Sequence, residues 1–122
     1  MRRILSISRN PRLLSARNDA LALAGYSVAS PREAEEAPLL FSQEDFDAVI
    51  LGHSIDSNTR RELIDHFRAW KPSICILFAY TGNTEAEPLA DVSVDISAGP
   101  MSLLVALEKL LRESNSARGH QP

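Results

Sequence analysis

Histidine, serine and aspartate crowd together once in this chain, at His53, Ser54 and Asp56. A hydrolytic triad needs the serine oxygen on one imidazole nitrogen and a carboxylate on the other. Residues following one another out of a strand point in different directions, so His53 and Ser54 are expected to bond the loop backbone or cap a helix instead. No enzymatic activity is expected. Metal chemistry has little more to recommend it. The three histidines, His53, His66 and His120, lack zinc-ligand spacing, and His66 falls beside the apolar face of a predicted helix. There is neither a Walker loop nor a GxGxxG pattern, so no metal and no cofactor is expected. The single cysteine, Cys75, lies within Ile74-Cys75-Ile76-Leu77-Phe78, a setting for an inert buried thiol. It excludes an internal disulfide and fits a reducing compartment, which makes the cytoplasm the expected location.

The chain has 122 residues, 44% hydrophobic and 24% charged, enough for one buried core but too few for two. A net charge of −3 exerts no bulk pull on nucleic acid or membrane. Arg2, Arg3, Arg9, Arg12 and Arg17 load the start, but without interleaved aromatics, and no nucleic-acid partner is expected. Glu33, Glu35, Glu36, Glu44, Asp45 and Asp47 load the next third, as a docking face or as solvated helix surface. No apolar run reaches the ~18 residues of a membrane span. The stretch after Met1-Arg2-Arg3 is broken by Ser6, Ser8 and Arg9, so no signal peptide is expected.

The elements that position these groups alternate. Ile4-Leu5-Ser6-Ile7-Ser8 reads as a strand. Asn10 and Pro11 supply an N-cap and first-turn proline for a helix with Leu14 and Leu21 inward, ended by Gly25. Tyr26–Ala29 is a second strand. Ser30 and Glu33 form a capping box for a second helix, which Pro38 should end or kink. Phe46–Leu51 is a central strand. Asp56 or Ser57 caps a third helix whose core face is Leu63, Ile64, Phe67 and Trp70. A fourth strand runs from Ser73 to Phe78. The stretch from Thr81 to Pro88 allows only a short or irregular helix. Asp91–Ile96 is a fifth strand, and Pro100 opens a last helix with Leu103, Leu104, Leu107, Leu110 and Leu111 on one side. A single domain is expected over 1–113, with a disordered polar tail over 114–122.

Over about residues 2 to 112 this order resembles the response-regulator receiver domain. The likeness is carried by Arg3-Ile4-Leu5-Ser6-Ile7, Ala24-Gly25-Tyr26-Ser27-Val28 and Phe46-Asp47-Ala48-Val49-Ile50-Leu51. The resemblance implies a flavodoxin-like α/β three-layer sandwich. Its sheet would be parallel, five-stranded, in order 2-1-3-4-5, with the site at the carboxyl ends of the strands.

The same resemblance implies that the family's phosphorylation chemistry is missing. Ser8 and Arg9 stand where receivers carry the acidic pair that holds magnesium. Gly52 stands at the phosphoaccepting aspartate. Phe78 replaces the switch hydroxyl, Ser93 the switch aromatic, and Ile96 the lysine; no lysine occurs between Val92 and Gly99. The chain thus resembles a pseudo-receiver from bacterial two-component signalling. No output domain is expected, so its action is expected to pass through a protein partner or a homodimer. Arg9 is positioned to act as a permanent substitute for the cation, plain exposure being the other reading. An alternative use of the edge is small-ligand or anion sensing by Arg9, Asn10, His53 and Ser54. Tyr80, Thr81 and Glu85 mark the expected partner surface.

Overall fold

The central strand shows why the sheet is covered on both faces. Every residue of β3 (Ala48–Gly52) is buried, and its side chains alternate between two separate cores. The structure is a computed structural model that describes residues 1–82 and 85–119, the side chains of 115–119 excepted. Around β3 lie β1 (Arg3–Ile7), β2 (Ser27–Ala29), β4 (Cys75–Tyr80) and β5 (Val92–Asp95), all parallel, in order β2-β1-β3-β4-β5. The helices are α1 (Pro11–Leu23), α2 (Ala37–Gln43), α3 (Ser57–Trp70) and α4 (Met101–Gly119). The flavodoxin-like order expected from the sequence is the one found.

One core lies between the sheet and α2 with α3. There Leu5, Ile7, Val49, Leu51, Ile76 and Phe78 meet Phe41, Leu63, Ile64 and Phe67. The other lies beneath α1 and α4, where Ile4, Ala48, Ile50, Leu77 and Ala79 meet Leu21, Leu103, Leu107 and Leu111. Gly52 continues the Ala48–Ile50 side and therefore faces α1. Asn10 caps α1 by accepting from the Arg12 and Leu13 amides at 3.1 Å each. Gly25 leaves the helix at φ +97°, a left-handed conformation that glycine adopts without strain. Asp56, not Ser57, caps α3, accepting from the Thr59 amide.

Several sequence expectations need correction. Pro38 opens α2 rather than ending it, because the first turn has no use for an amide donor at that point. A 3-10 turn over Ala34–Glu36 precedes it, and Ser30 caps nothing there; its hydroxyl accepts from Asn18. Trp70 is 62% exposed. It is the last residue of α3, where the helix has reached the rim of the sheet, and Lys71 turns back to bond the Phe46 carbonyl. In the β4–β5 connection no helix forms among the described residues. Helical backbone in α4 continues past Ser114, where the polar composition suggested a disordered tail would begin; residues 120–122 of that tail lie outside the described residues. The basic start and acidic third largely neutralise each other, through Arg2–Asp47, Arg3–Glu44 and Arg9–Glu35 pairs. No helix among the described residues is long and apolar enough to cross a membrane.

Candidate functional site at the carboxyl edge of the sheet

Parallel α/β sheets bind ligands outside the carboxyl ends of their strands, where the strand order reverses. Here that point lies between β1 and β3, and the residues after each strand are tied to one another. Ser8 Oγ lies 3.0 Å from Ser54 Oγ and accepts from the Asn10 amide at 3.0 Å. Ser54 Oγ also accepts from the Arg9 amide at 2.9 Å. These bonds knot the two loops together through hydroxyls. Arg9 itself turns outward: its guanidinium donates to Glu35 at 2.6 Å and approaches Asp56 at 4.0 Å. That bond raises the arginine pKa further and holds the Glu35 carboxyl below the ordinary range. The His53, Ser54 and Asp56 set is dispersed among different partners. His53 Nε2 is 3.4 Å from Thr81 Oγ1, Ser54 bonds the β1 loop, and Asp56 accepts from Thr59.

The cleft is occupied by a residue the sequence reading did not single out for it. Arg17 of α1 is only 4% exposed and reaches to Gly52. A Cβ added at Gly52 would stand 2.9 Å from Arg17 Nη2 and 3.3 Å from Ser8 Oγ. The guanidinium thus fills the space that any side chain at position 52 would enter. Its Nη1 donates to Ser6 Oγ at 3.2 Å and to the Ile7 carbonyl at 3.1 Å. Its Nε is buried without a partner. Among the described residues no carboxylate pairs with it, and burial pushes its pKa down to about 10.

On the opposite face of the sheet a second buried arginine is fully engaged. Arg60 of α3 donates from Nε to Glu87 at 2.9 Å and from Nη1 to the Ile55 carbonyl. Its guanidinium carbon lies 4.4 Å from the centre of the Phe78 ring, a cation–π contact. Glu87 is 3% exposed, and its amide donates to Ser93 Oγ at 3.1 Å. Phe78, Ser93, Arg60 and Glu87 therefore form one cluster that pins the chain between β4 and β5. Tyr80 stacks on Phe78 with 5.9 Å between ring centroids and is half-buried, while Glu85 is exposed. Ile96 is packed against the α1–α4 core, away from Phe78 and Ser93.

No family model matches the sequence, and no curated protein matches it. Solved structures do match. A CheY-like response-regulator receiver domain from Methanospirillum hungatei JF-1 gives a TM-score of 0.83 at 18% identity, covering 96% of this chain and 98% of its own. The response regulator TrrA of Thermotoga maritima, solved with Mg²⁺ and BeF, gives 0.79 at 24% identity, covering 90% and 99%. TrrA in complex with the histidine kinase ThkA gives 0.74 at 24%, covering 91% and 99%. This chain has the receiver fold.

Within the receiver fold, the sequence brings Ser8, Arg9, Asn10 and Ser54 to one knot and sends His53 with Thr81 to its flank. Arg17 and Arg60 share one signal in the sequence. Arg17 lies between Leu14 and Leu21 at helical spacing, and Arg60 precedes Leu63, Ile64 and Phe67 in the same way. An arginine on an apolar stripe is a candidate buried cation. Glu87 carries no local signal, since nothing in its loop specifies that it turns inward.

Proposed function

We propose that this chain is a receiver-fold regulatory module of the cytoplasm that acts without phosphorylation, through contact with a protein partner or a second copy of itself. The observation that carries the reading is the Gly52–Arg17 pair. Position 52 offers no nucleophile, and the space beside it holds a cation. A hard divalent ion takes anionic oxygens in a near-octahedral array. The groups at this edge do not fit one. Ser8 Oγ is committed to Ser54 and Asn10, and the Arg17 guanidinium repels a second positive charge. Among the described residues no three His, Cys, Asp or Glu side chains converge.

The clamp at Phe78 supports the same reading. Arg60 over its ring, and Glu87 behind, leave this position no free hydroxyl to follow a phosphoryl group. What the module offers a partner is then its standing surface. Tyr80, Thr81 and Glu85 border the connection that this clamp holds in place. TrrA bound to ThkA is an instance of the same fold meeting a protein partner.

The test is incubation with acetyl phosphate and magnesium, read by intact mass and by amide chemical shifts. The expected result is an unmodified mass and no magnesium-dependent shift at residues 8, 9 and 52. A phosphoryl adduct, or a saturable magnesium response there, would overturn the proposal. Partner capture from a lysate is expected to be lost on Glu85→Lys and kept on Arg9→Ala.

A further inference from the structure

A cavity of about 130 Å³ opens beside Arg17, between α1 and the β5–α4 connection. Leu13 and Ala16 line it from α1, Ile96 and Pro100 from the connection, and Leu103 from α4. Among the described residues, Arg17 is the only charged one in the lining. Its guanidinium has five donors in a fixed fork, and the bonds from Nη1 to Ser6 and Ile7 leave Nε buried and unpartnered. A buried charge is ordinarily paired or hydrogen-bonded throughout. This one has no anion among the described residues, and Arg17 is among the residues that line the cavity.

The lining selects the ligand. A phosphate or sulfate would turn oxygens toward Leu13, Ile96 and Leu103, burying polar atoms against hydrocarbon. A monocarboxylate carries its charge at one end and an apolar body at the other. An engineered apolar cavity of roughly 150 Å³ holds benzene, and a four-carbon carboxylate has as many heavy atoms as benzene.

We propose that this cavity binds a short-chain aliphatic carboxylate, with its carboxylate on the Arg17 guanidinium and its chain against Leu13, Ala16, Ile96 and Leu103. Binding would supply the counter-ion the cleft lacks and brace α1 against α4. The proposal shares Arg17 with the reading above, but the two are tested separately: carboxylate binding is read at residues 13, 16, 96 and 103, and phosphorylation by intact mass.

The experiment titrates the isotope-labelled full chain, at fixed pH and ionic strength, with acetate, butyrate, neutral butyramide and inorganic phosphate. Butyrate is expected to give saturable shifts in the millimolar range at residues 13, 16, 17, 96 and 103. Butyramide and phosphate are each expected to bind about tenfold more weakly or worse, as loss of a charge-assisted bond or of apolar contact implies. Arg17→Met should abolish butyrate binding. Ala16→Phe, at an exposed position of α1 whose side chain would fill the cavity, should do the same with Arg17 retained, and it serves if the first variant does not fold. Butyramide or phosphate binding as tightly as butyrate would overturn the proposal. So would an unchanged butyrate response in either folded variant, or no response in the parent chain.

Discussion

Arg17 and Arg60 are both buried at the same end of the sheet, on opposite faces, and their surroundings could hardly differ more. Arg60 has a carboxylate, a carbonyl and an aromatic ring. Arg17 has one hydroxyl and one carbonyl, an unpartnered Nε and, among the described residues, no anion. The contrast separates two uses of one residue type. Arg60 is a fastener: Glu87 lies in the β4–β5 connection, and their bond ties to α3 a segment that has no helix of its own among the described residues. Arg17 fastens little. Burial lowers its pKa to about 10, which means the fold holds the charged form at a cost.

The largest effect should come from breaking the satisfied arginine. Arg60→Met would leave Glu87 charged and buried with no cation beside it, only the Leu89 amide at 3.3 Å, and is expected to destabilise by about 3–5 kcal/mol in chemical denaturation. Converting both partners, Arg60→Met with Glu87→Leu, should recover most of that loss. Additive losses in the double variant would show that the pair is not coupled.

Arg17→Met should move stability the other way, upward by about 1–3 kcal/mol near neutral pH, since it removes an uncompensated charge and keeps the stem's packing. Its pH dependence has a definite sign. The folded pKa lies below the unfolded one, so above about pH 10 the unfolded chain binds more protons and the parent gains stability as pH rises. The advantage of Arg17→Met is thus full at neutral pH and shrinks across that alkaline window. A variant less stable than the parent at pH 7 would show that Arg17, like Arg60, holds the fold together.

Position 52 sharpens the comparison by supplying what Arg17 lacks. Gly52→Ala forces Nη2 aside for no electrostatic return and should cost about 1 kcal/mol. Gly52→Asp forces the same movement but brings a carboxylate to the guanidinium, and should be more stable than the alanine variant by about 1–2 kcal/mol at neutral pH. That margin should vanish as acid protonates the new carboxyl. The smallest effect belongs to Arg9. Its bond to Glu35 is solvent-exposed, so Arg9→Ala should leave the melting temperature unchanged within error at low and at high salt alike.

Much of this was open to reading along the chain. The alternating strands and helices, the Asn10–Pro11 opening and the Gly25 stop follow from local stereochemistry, which the residues carry with them. So does the most telling feature of the edge: a glycine at position 52 has no carboxylate wherever the fold puts it. Trp70 shows where that legibility ends. Its spacing after Leu63 and Phe67 matches the core stripe, but the stripe is useful only as far as the sheet extends beneath it. Pro38 is similar, since the same ring that stops a helix also starts one, and only the preceding turn decided which.

The sequence by itself determined the strand and helix pattern, and that neither a nucleophile at the end of β3 nor an acidic pair after β1 is present. Only the tertiary structure decided that Arg17 enters the cleft while Arg9 leaves it, and that Glu87 turns inward to meet Arg60. The physical reason is distance along the chain. A side chain's local preferences reach about one helical turn, whereas the partner of a buried charge is chosen by how whole elements dock, and here those elements lie on different strands' crossings of one sheet.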